Sequence, residues 1–417
     1  MSSSAQTDLA IVGAGVAGLA AAKLARAEGA DVTVLEARSR IGGRALTDSD
    51  SLGATWDRGC HWLHNAETNP FRRIADDLGF AYKMTPTPQK LWLGDDWADT
   101  ATAETLRSAL DARFAAIDAA GKAGNDVAAA EVLPPPDKWS QLFAQWLAAL
   151  SGADPEDCST LDDSRYVDSR ANWPVREGYG ALVASWGADV PVHLNTRVTT
   201  IDWRARNTVS LTTDDGTLCA RQVIVTVPTT VLAAEGIRFT PGLPDRHQRA
   251  LEATPLGGAN KVALAFDRDV FGTGMCHMSS KPHAPQGMAF QIRPFDRPLA
   301  IGYLGGRYAR DMEAAGPRAM ADRAMEILTD AFGTRIRDHV TGWTTTGWSQ
   351  DPYSRGAYSI ALPGRAHLRP EMETPIGPNL RLAGEACDVD AFGSVNGAFA
   401  SGRRAASQAL LGLRAVR

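Results

Sequence analysis

The chain opens on a short apolar run, DLAIV at 8–12, that stops at a glycine. A run of that length ending at glycine predicts a buried strand. Residues 16–28 are rich in alanine and set Leu19, Lys23 and Ala27 at helical spacing, which predicts a helix. A second apolar run, DVTVL at 31–35, predicts another buried strand. The chain therefore begins with a strand–helix–strand unit. Helices are predicted over 69–78, started by Asn-Pro, and over 101–118, where Leu106, Leu110, Phe114 and Ile117 share a face. Residues 119–138 hold GKAGND and three consecutive prolines, and read as a hinge or surface excursion before a further helix at 139–150.

From 190 the pattern turns to strands. They are predicted at 192–202, 207–213 and 221–227, with Asp214-Asp215-Gly216 as a hairpin turn. More strands follow at 261–266 and within 288–304, then a helix at 317–333. A strand at 380–383 ends at Gly384-Glu385, and a last helix runs from about 397 to 411. A nucleotide-type unit opens the chain and a strand–Gly-Glu–helix element closes it. That order predicts an α/β fold: a doubly wound, Rossmann-like domain (1–70, 190–255 and 370–417) interleaved with an α+β domain (71–189 and 256–369).

Composition narrows the classes. The net charge of −5 over 417 residues gives no pull towards nucleic acid or an anionic membrane. Five cysteines lie far apart at 60, 158, 219, 276 and 387, without CxxC spacing. Neither a disulfide framework nor a zinc site is expected, and a reducing compartment, the cytoplasm, fits best. No secretory signal opens the sequence, and no apolar run is long enough to span a bilayer. Oligomeric state leaves no mark in these figures.

The first chemistry is the turn Gly13-Ala14-Gly15-Val16-Ala17-Gly18, set between predicted strand and predicted helix. There Gly13 permits the tight turn, Gly15 lets a pyrophosphate approach the backbone, and Gly18 allows close helix–strand packing. Helix N-terminal amides favour phosphate. Glu36 ends the second strand, where a carboxylate can accept both ribose hydroxyls and disfavours a 2′-phosphate. Ala37 and Arg38 follow, then Gly42-Gly43-Arg44: another close backbone approach and a charged fork that can meet phosphate. By itself the turn does not separate FAD from NAD, and Arg44 alone could be a surface arginine.

Taken together, GAGVAGLAAA, VTVLEAR and IGGR at the start and LRLAGEACDVDAFGSVNGAFASGRRAA at the end resemble the flavin-containing amine oxidase family: monoamine oxidases, polyamine oxidases and the lysine-specific histone demethylase. The resemblance covers essentially the whole chain. It implies FAD as the cofactor and a substrate-binding role for the α+β domain. The block GYGALVASWGADVPVHLNTRVTTID at 178–202 also matches, which implies that Val198 touches the adenine. Pro228 ends a strand that is similar to one running along the cofactor. Glu385, by spacing alone equally a surface capping residue, is implied to reach the ribityl hydroxyls or a bound water. Ser394, Val395 and Ala398 are implied at the pyrimidine end of the flavin, on a helix N-terminus.

The same resemblance implies oxidation of a small amine. GGANKVALAF resembles the segment whose lysine reaches flavin N5 through water, so Lys261 is the catalytic candidate; without that match, a solvent-facing strand lysine would be the ordinary reading. Trp348 and Tyr358 resemble the stretch leading to the substrate pocket, although either could be plain core. Ala357 stands where monoamine oxidases carry the cysteine joined to flavin, which implies non-covalent FAD. The partner of Tyr358 in a two-aromatic cage is not obvious, and Phe392 is the nearest candidate. Gly59-Cys60-His61-Trp62-Leu63-His64 resembles the segment passing the flavin ring in polyamine oxidases, with His64 facing the substrate nitrogens. His61 and His64 have no third ligand at suitable spacing, so no metal is expected. Cys60 reads as packing and His61 as structural. The expectation is an FAD amine oxidase using O2, for a polyamine or secondary amine. A primary monoamine or a non-O2 acceptor is the alternative, with a desaturase or peptide-lysine demethylase more distant.

Overall fold

The computed structural model describes residues 6–281 and 286–415. Its larger sheet runs Arg238–Thr240, Val198–Asp202, Val209–Thr213, Gly216–Val225, Gln6–Val12, Val32–Leu35, Val192–His193. Strand Gly216–Val225 serves two neighbours on one side. Its first half pairs antiparallel with Val209–Thr213, and Val223, Ile224 and Val225 pair parallel with Leu380–Leu382. Gln6–Val12 lies between two parallel partners and is buried on both faces, Leu9 and Ile11 in one core and Ala10 and Val12 in another. That explains its unbroken apolar run.

On one side of this sheet the helix Val16–Ala27 packs against the closing helix Val395–Ala415. A Cβ on Gly402 would lie 2.1 Å from the carbonyl oxygen of Ala17, so glycine sets the distance between the two backbones. Helices Pro70–Leu78 and Tyr179–Gly187 enter the same core through Phe71, Ala75, Leu182 and Val183.

The second sheet runs Val340–Thr345, Ala259–Phe266, Leu299–Gly305, Ala289–Ile292, Cys276–Ser280, Gln89–Trp92. One face carries Val262, Leu264 and Phe266 into a core with the helices Gly306–Ala315 and Pro317–Phe332. Cross-strand pairing puts Lys261 beside Tyr303, and Ala263, Ile301, Gln291 and His277 in one row, on the other face. That face is polar and aromatic around Lys261, Tyr303, Gln291 and His277, and apolar where Ala263, Ala265, Leu299 and Ile301 pack with Trp56. Helices Thr100–Lys122 and Ser140–Ser151 form a further core with Leu106, Leu110, Ile117, Leu142 and Phe143.

Several expectations change in detail. The single strand at 192–202 is two, Val192–His193 and Val198–Asp202, broken at Asn195 with φ 55°. The helix at 101–118 runs on to Lys122, because Gly121 packs against the carbonyl of Thr160 where a Cβ would clash at 2.1 Å. The 119–138 stretch is therefore helix at its start, and it holds a short helix, Ala129–Val132. The closing helix starts at Val395, because Ser394 Oγ accepts from the amide of Gly397 at 3.1 Å. Strands Gln89–Trp92, Cys276–Ser280 and Val340–Thr345 and helices Tyr179–Gly187, Asp245–Ala253 and Gly306–Ala315 are additional. Among the described residues, no helix is long and apolar enough to cross a membrane, and no cluster of three or more His, Cys, Asp or Glu is arranged to hold a metal.

Candidate active site

Three glycines of the first turn differ in what they require. Gly13 has φ +104°, and a Cβ there would sit 2.5 Å from Thr226 Oγ1. A Cβ on Gly18 would lie 1.9 Å from the carbonyl oxygen of Gly13, so this glycine lets the helix start against the strand. Gly15 has an ordinary φ of −71°, and a Cβ there would meet nothing within 4 Å. Neither conformation nor protein packing calls for glycine at 15. The room in front of it lies at the start of helix Val16–Ala27, where amides favour an anion. Gly42 closes the cradle by donating to Ala14 O at 2.8 Å, and Gly43 lies against Gly15. Gly59 fits under the carbonyl of Arg44, where a Cβ would clash at 1.7 Å. Ala14 and Ala17 are buried in the turn, and Ala37 is half-buried beyond it.

The two carboxylates of the site are in opposite states. Glu36 accepts from the amides of Ala14 at 2.7 Å and Arg38 at 2.8 Å. A carboxylate has about four acceptor positions, so two remain for a ribose diol. Glu385 is saturated. It accepts from Arg44 Nη1 at 2.8 Å, Ser359 N at 3.1 Å, Ser359 Oγ at 2.7 Å and Gly393 N at 2.7 Å. Burial alone would raise its pKa, but Arg44, Ser359 and Arg369 outweigh burial and hold it below the usual carboxylate value. Glu385 therefore acts on Arg44 in this structure and has no acceptor position left over for a ribityl hydroxyl.

Arg44 also donates to the carbonyl of Ala357, while its Nε and Nη2 have no partner among the described residues. Arg38 is turned away. Its guanidinium grips both oxygens of Asp351 at 2.8 and 2.7 Å, so the part it adds beside Glu36 is its amide. Val198 is buried with Leu35 at the end of the second strand. Pro228 lies two residues beyond Thr226, after Val227, and caps the N-terminus of helix Thr229–Ala233. Ser394, Val395 and Ala398 form the first turn of the closing helix. Sequence position thus brings the anion cradle, the open Glu36 and the free fork of Arg44 together, an arrangement that fits a dinucleotide.

Lys261 lies on the polar face of the second sheet. Its Nζ donates to the main-chain oxygens of Asp57, at 2.8 Å, and Gly59, at 2.5 Å, and lies 5.3 Å from the centre of the Tyr303 ring. Burial lowers its pKa to about 8, against the opposing pull of Asp57 and Cys60. Asp57 is the hub beneath it. Its buried carboxylate accepts from Thr47 Oγ1 at 2.6 Å, His61 Nδ1 at 2.8 Å and the amides of Tyr179 and Gly180. A carboxylate can only accept from His61, so the His61 proton sits on Nδ1 and Nε2 is left without a partner among the described residues. Burial, followed by Asp57, pushes the Cys60 thiol up.

Trp62 stands amid other rings: His61 at 4.7 Å, Tyr303 at 5.5 Å, His277 at 6.1 Å and His64 at 6.4 Å between centres. His64 Nδ1 lies 2.6 Å from Asn172 Oδ1, which as an acceptor fixes that proton and leaves Nε2 a lone pair. Burial lowers the pKa of all three imidazoles, His277 to about 4. They are neutral at pH 7. Trp348 is buried and donates to Arg58 O at 3.3 Å. The Tyr358 hydroxyl donates to Ala149 O at 2.5 Å. Phe392 packs beneath the Arg369 guanidinium at 4.2 Å and edge-on to Tyr166. Tyr303, His277 and Gln291 were not expected from the sequence. Tyr303 lies inside the apolar run LAIGYL, and a period-two reading of 299–304 was the signal that could have placed it with Lys261.

The fold and the sequence match known proteins. The model of the flavin-containing amine oxidoreductases matches residues 16–410. The chain belongs to that family: its cofactor is FAD and it is an amine-oxidising enzyme. Ala357 offers no nucleophile, and the FAD is held without a covalent bond. The chain is 29% identical to polyamine oxidase 4 of Oryza sativa subsp. japonica, over 95% of this chain and 87% of that protein. The fold is that of putrescine oxidase bound to putrescine, with TM-score 0.82 and 20% identity over 97% of this chain and 99% of that one. It is likewise that of cyclohexylamine oxidase from Brevibacterium oxydans IH-35A, with TM-score 0.79 and 22% identity over 99% and 100%.

Proposed function

We propose that this enzyme oxidises a polyamine or another secondary amine to an imine, which water then hydrolyses, with O2 as the acceptor and H2O2 as the product. Bound FAD supplies the two-electron acceptor for the carbon next to nitrogen. One observation carries the protein's part: two main-chain oxygens hold Lys261 Nζ. When Lys261 is neutral, both its N–H bonds are taken by those oxygens, and its lone pair is left for the third direction. That lone pair can take the proton of an incoming ammonium, giving the neutral amine that reacts. A pKa near 8 makes the exchange accessible around neutral pH.

The neutral imidazoles and the rings of Trp62, Tyr303 and Tyr358 serve the same end. An apolar, uncharged wall penalises the ammonium and orients the nitrogen. His64 Nε2 is a second acceptor for a substrate N–H. The preference for polyamines is supported by the likeness to a polyamine oxidase. The experiment is a panel of polyamines, N-alkylamines and primary monoamines, read by anaerobic bleaching of the flavin and by peroxide in air. No bleaching with any amine overturns the proposal. Bleaching without peroxide moves the acceptor from O2 to another oxidant, and bleaching by primary monoamines alone moves the substrate class.

A further inference from the structure

Behind Glu385 lies a chain of buried groups that the chemistry above does not use. Arg369 has no exposed surface. Its Nε and Nη2 grip Asp162 at 2.8 and 2.6 Å, and its Nη1 donates to Ala386 O and to Ser359 Oγ, both at 2.9 Å. The ring of Phe392 covers it at 4.2 Å. Ser359 Oγ passes the contact on by donating to Glu385 Oε2 at 2.7 Å, and Glu385 Oε1 holds Arg44 at 2.8 Å. The order is carboxylate, guanidinium, hydroxyl, carboxylate, guanidinium. Asp162 belongs to helix Thr160–Arg165, whose neighbours are in the helical part of the molecule, while Glu385 and Arg44 belong to the nucleotide cradle.

We propose that Ser359, with Asp162 and Arg369 behind it, is a positioning residue for FAD: it fixes Glu385, Glu385 aims Arg44 at the cofactor, and cofactor binding and docking of helix Thr160–Arg165 become one event. The geometry is specific on this point. A lone arginine fork beside a phosphate site has many rotamers, and its entropy opposes binding. Here one nitrogen is fixed by Glu385 and Ala357, and Nε and Nη2 have no partner among the described residues. Glu385 in turn cannot swing, because each of its oxygens receives two donors. Ser359 supplies two of those four, and its hydroxyl links the Glu385 carboxylate to Arg369, which also holds the neighbouring main chain at Ala386 O. A hydrogen bond between buried ionised partners is worth more than one between neutral groups, and losing one leaves the others under-satisfied. The proposal rests on the reading that Arg44 meets FAD.

The test uses the full-length holoenzyme and its reconstituted apoprotein, with Ser359→Ala and Arg44→Met. FAD affinity is titrated by quenching of flavin fluorescence, and hydrogen exchange is followed over 159–165 and 385–393 with and without FAD. Ser359→Ala is expected to raise the FAD Kd by about tenfold, the scale of one lost hydrogen bond to a charged group. FAD is expected to slow exchange at 159–165 in the parent protein and to lose much of that effect in the variant. An unchanged Kd in Arg44→Met overturns the reading of Arg44. A weakened Arg44→Met beside a Ser359→Ala whose Kd and exchange stay at parent values overturns the positioning role. Equal loss of thermal stability in apo and holo Ser359→Ala, with Kd unchanged, also overturns it. Asp162→Asn is the second variant, expected to repeat the exchange effect without touching the cradle.

Discussion

Lys261 Nζ is held 2.8 Å from the main-chain oxygen of Asp57, while the side chain of that same aspartate is locked by four donors, one from its own loop and three from two other segments. The lysine is therefore held by a turn that cannot move without breaking the N-terminus of helix Tyr179–Gly187. Asp57 acts on Lys261 twice, as a scaffold through its backbone and as a charge through its side chain.

Replacing Lys261 by Met removes the proton acceptor and keeps the apolar stem. Amine-dependent bleaching under anaerobic conditions should slow by about 10²–10⁴, the usual worth of a positioned acid or base. In the parent enzyme that rate should rise with pH through a limb near 8, because the neutral lysine is the proposed active form. The limb should vanish in Lys261→Met. Stopped-flow spectra across pH check both points, and a variant that keeps rate and limb removes Lys261 from the chemistry.

Asp57→Asn tests the charge. The negative carboxylate raises the proton affinity of Lys261, so its loss moves the limb below 8, towards acid. The amide also presents hydrogens to donors that need an acceptor, at a cost of about 1–3 kcal/mol. Thermal unfolding reads the second effect and the pH profile reads the first. A limb that moves towards alkali contradicts the assignment.

The glycines at 15 and 18 should part company. Gly18→Ala overpacks the strand–helix contact and should lower apoprotein stability by about 1–3 kcal/mol. Gly15→Ala has a compatible backbone and free room, so the apoprotein should be unchanged or gain about 0.4–1 kcal/mol. Its methyl group occupies the space in front of the helix N-terminus, and FAD affinity should fall by at least about tenfold, or 1.4 kcal/mol. Melting curves and FAD titration separate the two, and equal melting losses with equal FAD affinity would sink the distinction.

Glu385 predicts behaviour in acid. Its pKa is depressed in the folded protein, so its share of stability is complete above the unfolded carboxyl pKa. That share drains away as pH falls through the lower folded value. Glu385→Gln should flatten this part of the acid profile and melt lower than the parent at pH 7. An acid limb that keeps its parent slope in the variant assigns the effect to other carboxylates.

Much of the nucleotide half is legible in the sequence, because its signals are local. A strand buried on both faces is a continuous apolar run, and the spacing of Gly13, Gly15 and Gly18 lies within one six-residue turn between that strand and its helix. The second sheet and the elements around it are less so. Cys276–Ser280 and Val340–Thr345 carry polar residues towards the site or the sheet edge, so neither shows an apolar run. Phe392 was a reasonable partner for Tyr358 by position, yet it is held by Arg369. The Arg369–Asp162 pair joins residues 207 positions apart, and no periodicity announces such a contact. Glu385 was legible as a site residue, but its saturation by four donors depends on where Ser359 and Gly393 arrive.

The seam at Gly402 and Ala17 has a consequence in time. A growing polypeptide makes the opening helix early and the helix that packs against it almost four hundred residues later. Until then Ala17 lacks the neighbour it packs against, so the seam beside the cradle closes only once helix Val395–Ala415 is in place.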